Sequence, residues 1–256
     1  MSRPAPDIGV VGVGAMGGAM AAGLAPHARV VVEDLQPGRA QEVAARHGVH
    51  AGDAAACDIV VVAVKPQDLA EVLADVVPRM APGAVLVSVA AGWPTERLSE
   101  AAPGHPVVRL MPNLAVAHGA GVVAMATQGL DGAGEARVNA LLEPLGAVVV
   151  IDEALFGAAT AIGGSGPGFL AYLAAAMEAA AEAEGLPSSV ARALVQGALA
   201  GTAALLADGT DPSDLQARVT SPGGTTAAGI AAMDERGTAD AIAAAVRAAA
   251  ARAAEL

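Results

Sequence analysis

Aromatic side chains make up only 2% of the chain. A core built on large rings is therefore excluded, and alanine, valine and leucine must form the interior through small, closely approaching surfaces. Cysteine is almost absent as well. Cys57 stands alone, so no intrachain disulfide forms, and an isolated thiol beside an apolar run reads as a small core residue. Met1–Asp7 runs directly into a strand pattern and has no basic start, apolar core and cleavage site, which with the cysteine usage points to a cytoplasmic protein. Positive charge is scarce: 14 basic against 26 acidic residues give a net charge of -12. Such a chain repels phosphate backbones and anionic lipid, so neither nucleic acid nor membrane is expected as a partner. The apolar stretch Ala171–Ala183 carries Glu178 and Glu182, which fits a soluble helix. His27, His47, His50, His105 and His118 are scattered, with no metal-ligand spacing and no nucleophile-base motif.

What is present is valine in short blocks and glycine between them. Ile8–Val13, Val30–Val32, Ile59–Val64, Val85–Val89 and Val148–Ile151 read as strands, continuous rather than alternating, as parallel strands covered on both faces require. Helical patterns follow at Met16–Leu24, Arg39–His47, Leu69–Val77 and Glu135–Leu145. The order is that of a doubly wound α/β sheet. Beyond Asp152 the strands stop, and alanine-rich helices are predicted at Phe169–Glu184, Val190–Leu206 and from Thr225 onward. The expected organisation is a Rossmann-type parallel-sheet domain over residues 1–152 and an all-α domain over 153–256. Helices this poor in charge suggest dimerisation.

Gly12-Val13-Gly14-Ala15-Met16-Gly17 matches the dinucleotide fingerprint, between a strand and a helix. The first glycine serves the turn, the second the approach of the pyrophosphate, and the third the packing of helix on strand. Asp34, or Glu33 beside it, ends the second strand, where a carboxylate accepts from a ribose 2'-hydroxyl and repels a 2'-phosphate. NAD(P)H is the expected cofactor, with a lean towards NADH; Arg39 reaching in to hold a phosphate is the opposing reading. Val64-Lys65-Pro66 follows the third strand and contains the only lysine, while Ala91-Gly92 and Asn113 lie in further strand-end loops suited to a nicotinamide. In the helical half, Ser165 is placed to cap the helix that follows it, with Pro167 in the first turn. Ser221, Gly223, Gly224, Thr225 and Thr226 form a loop before a helix, with exposed amides and hydroxyls fit for a carboxylate. No residue stands out as a general acid. Reduction of a C=N bond needs none poised in advance, because the iminium arrives protonated.

Taken in order, the Gly12 fingerprint, Val64-Lys65-Pro66-Gln67, Ala90-Ala91-Gly92, Arg109–Asn113, Gly164–Pro167 and Ser221–Thr226 make the chain resemble the pyrroline-5-carboxylate reductase family over nearly its whole length. The resemblance implies reduction of 1-pyrroline-5-carboxylate to L-proline, with a helical dimerisation domain after the Rossmann domain. It also implies that Ser221–Thr226 holds the substrate carboxylate, completed across a dimer interface, and that dimers often assemble into decamers. Three segments depart from the family pattern: Asn113-Leu114-Ala115 replaces Asn-Thr-Pro, Asp211-Pro212 replaces His-Pro, and Leu215-Gln216-Ala217 replaces Leu-Arg-Asp. These departures keep open a paralogue acting on another cyclic imino acid and a non-catalytic NAD(P)-binding regulator. The β-hydroxyacid dehydrogenases share the glycine start but use a lysine in the second domain, and this chain has none after Lys65.

Overall fold

Valine and isoleucine are stiff at the first side-chain torsion and pack well on a pleated surface, so their short runs become strands rather than helices. The computed structural model describes residues 7–255. Its eight strands are β1 (Ile8–Val11), β2 (Val30–Glu33), β3 (His50–Ala51), β4 (Ile59–Val62), β5 (Val85–Ser88), β6 (Val107–Pro112), β7 (Gly121–Gln128) and β8 (Gly146–Val150). They form one sheet in the order β3-β2-β1-β4-β5-β6-β7-β8. Every pair is parallel except β6 with β7. That exception has a local cause. The connection after β6 is a single 3-10 turn, Leu114–His118, closed by Gly119 in the left-handed region, and too short for a crossover helix. Neither β6 nor β7 is evident in the sequence pattern, and the two-residue edge strand β3 is likewise new.

Helices α1 (Ala15–Leu24), α2 (Arg39–His47), α3 (Leu69–Val76), α4 (Thr95–Ala101) and α5 (Gly132–Leu142) cover the sheet. Val10, Val32, Val61, Val87, Val108 and Leu110 bury one face with Met20 and Leu24 of α1 and Val138 of α5. Val11, Val31, Val60, Val62 and Leu86 bury the other with Leu69 and Leu73 of α3 and Leu98 of α4. Each such side chain removed from water stabilises the fold by about 1.5–3 kcal/mol. Cys57 belongs to this second core, and burial pushes its thiol up to about 11, which makes it a packing residue rather than a nucleophile.

After β8 the chain turns helical through α6 (Phe156–Ala159), a π-helical turn at Thr160–Gly164, α7 (Gly166–Ala183), α8 (Ser188–Ala207), α9 (Pro212–Val219), α10 (Thr225–Glu235) and α11 (Thr238–Ala254). The helix predicted from Thr225 onward is thus two helices. Gly237, with φ +66°, breaks them, a conformation that glycine alone adopts without strain. The chain divides into two compact units, one holding the described residues up to Ser165 with those from Ala249 onward, the other Gly166–Ala248. In the second unit only Ala191, Val195 and Leu215 are buried hydrophobics, while Leu170, Tyr172, Met177 and Leu194 are exposed. Two helical stretches, Glu153–Ala183 and Ser188–Ala207, are long and apolar enough to cross a membrane by length and composition.

Candidate active site

The fingerprint follows β1 directly. Gly12 has φ +86°, and a Cβ there would lie 2.6 Å from Val64 Cγ1. At Gly17 a Cβ would stand 2.0 Å from the Gly12 carbonyl oxygen, so a larger residue would push α1 off the strand. Gly14 is different: a Cβ would meet nothing within 4 Å. Its openness leaves room for a ligand at the start of α1, whose first turn has neither a side-chain cap nor an acidic residue. Free N–H groups and the positive end of the helix dipole there fit a pyrophosphate. Ala15 and Met16 form that first turn, and a cavity of ≈ 440 Å³ runs past Gly14 and Ala15 to Arg39.

The two acidic candidates after β2 separate in the structure. Glu33 turns to the α3 side, where it pairs with Arg79 at 2.8 Å and accepts from the Ala54 N–H at 3.0 Å. Asp34 turns to the fingerprint. One oxygen accepts from the Val13 N–H and the other from the Gln36 N–H, each at 2.8 Å, with Arg39 Nη1 3.7 Å away. Asp34 therefore braces the glycine loop, and its side chain is 7% exposed. The adjoining Leu35 is 87% exposed.

Val64, Lys65 and Pro66 follow β4, with Lys65 exposed. The Pro66 carbonyl accepts from Trp93 Nε1 at 3.1 Å, which ties this turn to the loop of Ala91 and Gly92 after β5. Buried Ser88 supports the same loop by accepting from the Ala90 N–H at 3.2 Å. Trp93 was legible only as the one tryptophan in the chain, directly after Gly92. Asn113, beyond β6, has both ends of its amide engaged: Oδ1 accepts from the Ala115 N–H at 3.1 Å and Nδ2 donates to the Gly163 carbonyl at 2.9 Å. These residues thus gather at the carboxyl ends of neighbouring strands, the side on which such sheets bind ligands.

A second cluster joins Arg109, part of a motif already noted, to Glu153 and Thr95, which no sequence pattern singles out. Glu153 accepts from the Thr95 hydroxyl at 2.6 Å, the Thr95 N–H at 2.9 Å and Arg109 Nη1 at 2.8 Å, while the Arg109 guanidinium lies 4.3 Å from the Phe156 ring centroid. Burial favours the protonated form of Glu153, but the hydrogen bonds from Thr95 and Arg109 outweigh it and hold the carboxyl below its usual value. This cluster pins the start of the helical segment to β6 and α4.

Ser165 does not cap a helix. It follows the π-helical turn and donates its N–H to the Thr160 carbonyl at 2.9 Å, so helix runs on both sides of it. The expectation failed because Gly163, Gly164 and Pro167 imitate a loop in sequence. Ser165 belongs to the sheet-bearing unit, whereas Ser221, Gly223, Gly224, Thr225 and Thr226 belong to the other. In that loop the Gly224 N–H donates to the Ser221 carbonyl at 2.9 Å, and Gly223 takes φ +70°. α10 then starts at Thr225 with no side-chain cap and no acid in its first turn. Its amino end offers free N–H groups beside the hydroxyls of Ser221, Thr225 and Thr226, a set of donors that suits a carboxylate.

Comparison with known proteins gives two family matches, whose bounds differ from those of the compact units. Residues 153–256 match the family described as pyrroline-5-carboxylate reductase dimerisation. Residues 7–92 match that described as NADP oxidoreductase, coenzyme F420-dependent. The pyrroline-5-carboxylate reductase of Mycobacterium leprae is 35% identical, over 97% of this chain and 96% of that protein. That of Synechocystis is 36% identical, over 78% of this chain and 75% of its own. Among solved structures, a pyrroline-5-carboxylate reductase from Coxiella burnetii superposes with a TM-score of 0.88 at 26% identity, covering 98% of each chain. A glycine fingerprint that fits NAD(P)H, an uncapped helix that fits a carboxylate and relatives that align from end to end all agree: the chain belongs to the pyrroline-5-carboxylate reductase family.

Proposed function

We propose that this enzyme reduces (S)-1-pyrroline-5-carboxylate to L-proline with NAD(P)H, the terminal step of proline biosynthesis. The observation that carries the reading is the uncapped start of α10 under Ser221–Thr226, alongside a complete fingerprint at Gly12–Gly17. Residues 1–152 act as the cofactor domain and 153–256 as the dimerisation and substrate domain, in keeping with the residues that the family match covers. Gly12, Gly14, Ala15, Met16 and Gly17 hold the pyrophosphate, with Val64, Lys65, Pro66, Ala91, Gly92 and Asn113 along the nicotinamide side. Ser221, Gly223, Gly224, Thr225 and Thr226 hold the carboxylate, and Ser165 lies near the imine. When bound, the reduced dinucleotide supplies the hydride that converts the C=N bond to an amine. The chain orients the ring and excludes water, and solvent or a neighbouring hydroxyl handles the nitrogen proton.

NADH is the favoured cofactor. A 2'-phosphate at the end of β2 would meet the Asp34 carboxylate and the exposed Leu35 side chain, opposed by the Arg39 guanidinium 3.7 Å from Asp34. The working assembly is a cytoplasmic homodimer or a decamer built from five such dimers, without nucleic-acid or membrane partners. The test is oxidation of NADH by purified protein on addition of pyrroline-5-carboxylate. Cofactor binding without oxidation, across a panel of five- and six-membered cyclic imino acids, would sink the reading. One observation favours a second reading, reduction of a different cyclic imino acid: Leu114, 60% exposed beyond β6, stands where the family commonly has threonine. Faster turnover of a six-membered ring in the same panel would establish it.

A further inference from the structure

Glu153–Ala183 runs as one helical stretch that contains a proline. In an α-helical ladder the Gly163 carbonyl would accept from the N–H of residue 167, but Pro167 has none to give. The chain shifts register at this place. Ser165 donates to Thr160, five residues back, at 2.9 Å, and the Thr160 hydroxyl donates to the Phe156 carbonyl at 2.7 Å. The Gly163 carbonyl receives its hydrogen bond from outside the helix, from Asn113 Nδ2 at 2.9 Å. Asn113 is itself held, because its Oδ1 caps the turn after β6 at the Ala115 N–H. The turn also lies flush on the sheet: a Cβ at Gly163 would come within 2.6 Å of Val122 Cγ1 on β7. π-Helical turns are rare and concentrate at functional sites.

We infer that Asn113 is a positioning residue of the reductase: its amide supplies the donor that Pro167 withholds from Gly163, and thereby sets the place of the Ser165 hydroxyl. The inference rests on the assignment of Ser165 to the substrate site. Asn113 acts through the helix and not on the imine.

The test is steady-state kinetics of Asn113→Asp, which keeps the shape and the acceptor for Ala115 while removing the donor, with Asn113→Ala as a second lesion. Both are expected to lower kcat by about ten- to hundredfold, the usual cost of a small misplacement. KM for NADH should stay within about twofold, since both ends of the Asn113 amide are engaged within the chain and the main chain, which both variants keep, is what it presents to the nicotinamide side. Pro167→Ala restores a main-chain donor at residue 167; added to either lesion, it should recover most of kcat relative to Pro167→Ala alone. No recovery overturns the inference. So does a raised KM for NADH at unchanged kcat, which would make Asn113 a direct cofactor ligand. Ser165→Ala distinguishes the two assignments. If it is neutral while Pro167→Ala still rescues, the clamp stands and the substrate role of Ser165 falls; if it is impaired and rescue fails, the reverse holds.

Discussion

The two compact units treat apolar surface in opposite ways. In the sheet-bearing unit, β1 and β4 are buried along their whole length, and helices close both faces. The helical unit has three buried hydrophobics and leaves Tyr172 77% exposed, with Leu170 and Leu194 also in the open. The first unit can bury its own core. The second leaves much of its apolar surface open, in line with its match to a dimerisation family.

The sharpest way to break this contrast is to charge the open helices. Leu170→Glu with Leu194→Glu should leave a monomer by light scattering and abolish turnover, since each leucine buried at an interface contributes about 1.5–3 kcal/mol and a buried unpaired carboxylate costs more. A double variant that stays dimeric would mean that these faces do not meet a partner. In the other unit the corresponding lesion is one methyl group. Gly17→Ala places a Cβ against the Gly12 carbonyl and should lower stability by about 1–3 kcal/mol while removing NADH binding, read by melting temperature and titration.

Smaller changes refine the comparison. Ser221→Ala should raise KM for the imino acid by about tenfold or more, as loss of one hydrogen bond to a charged group predicts, and leave KM for NADH unchanged. Asp34→Ala removes the acceptor for the Val13 and Gln36 N–H groups and the charge facing a 2'-phosphate, so the ratio of NADH to NADPH efficiency should fall by about tenfold. The least effect belongs to Glu153. Its folded carboxyl titrates below the ordinary value of 4.5, so its stabilisation is complete above that value and is lost as pH falls through the lowered one. Glu153→Gln should therefore flatten the acid limb of the melting curve against pH, and an unchanged limb would show that the Thr95 and Arg109 contacts carry no net stability.

The same contrast governs how much could be read in advance. The fingerprint, the valine strands around it and the Ser221–Thr226 loop are written as local spacing, so they were legible from sequence. The strand pair β6 and β7 was not, because its direction depends on one short turn closed by Gly119. The helix through Ser165 was hidden for a different reason. Gly163, Gly164 and Pro167 disfavour helix locally, and it forms because Val122, Met111 and Asn113 lie across from it. Asp34 and Glu33 are adjacent in sequence, and only the alternation of the β2 backbone decides which one faces the glycines.

The indole that holds Pro66 has a use beyond architecture. Trp93 is the single tryptophan, so all of the protein's indole fluorescence comes from the cofactor side of the sheet. Its emission overlaps the absorption of a reduced nicotinamide and not that of an oxidised one. The fold thus carries its own optical gauge of occupancy and redox state, readable without label, and every substitution above can be followed by the light that Trp93 loses as NADH arrives.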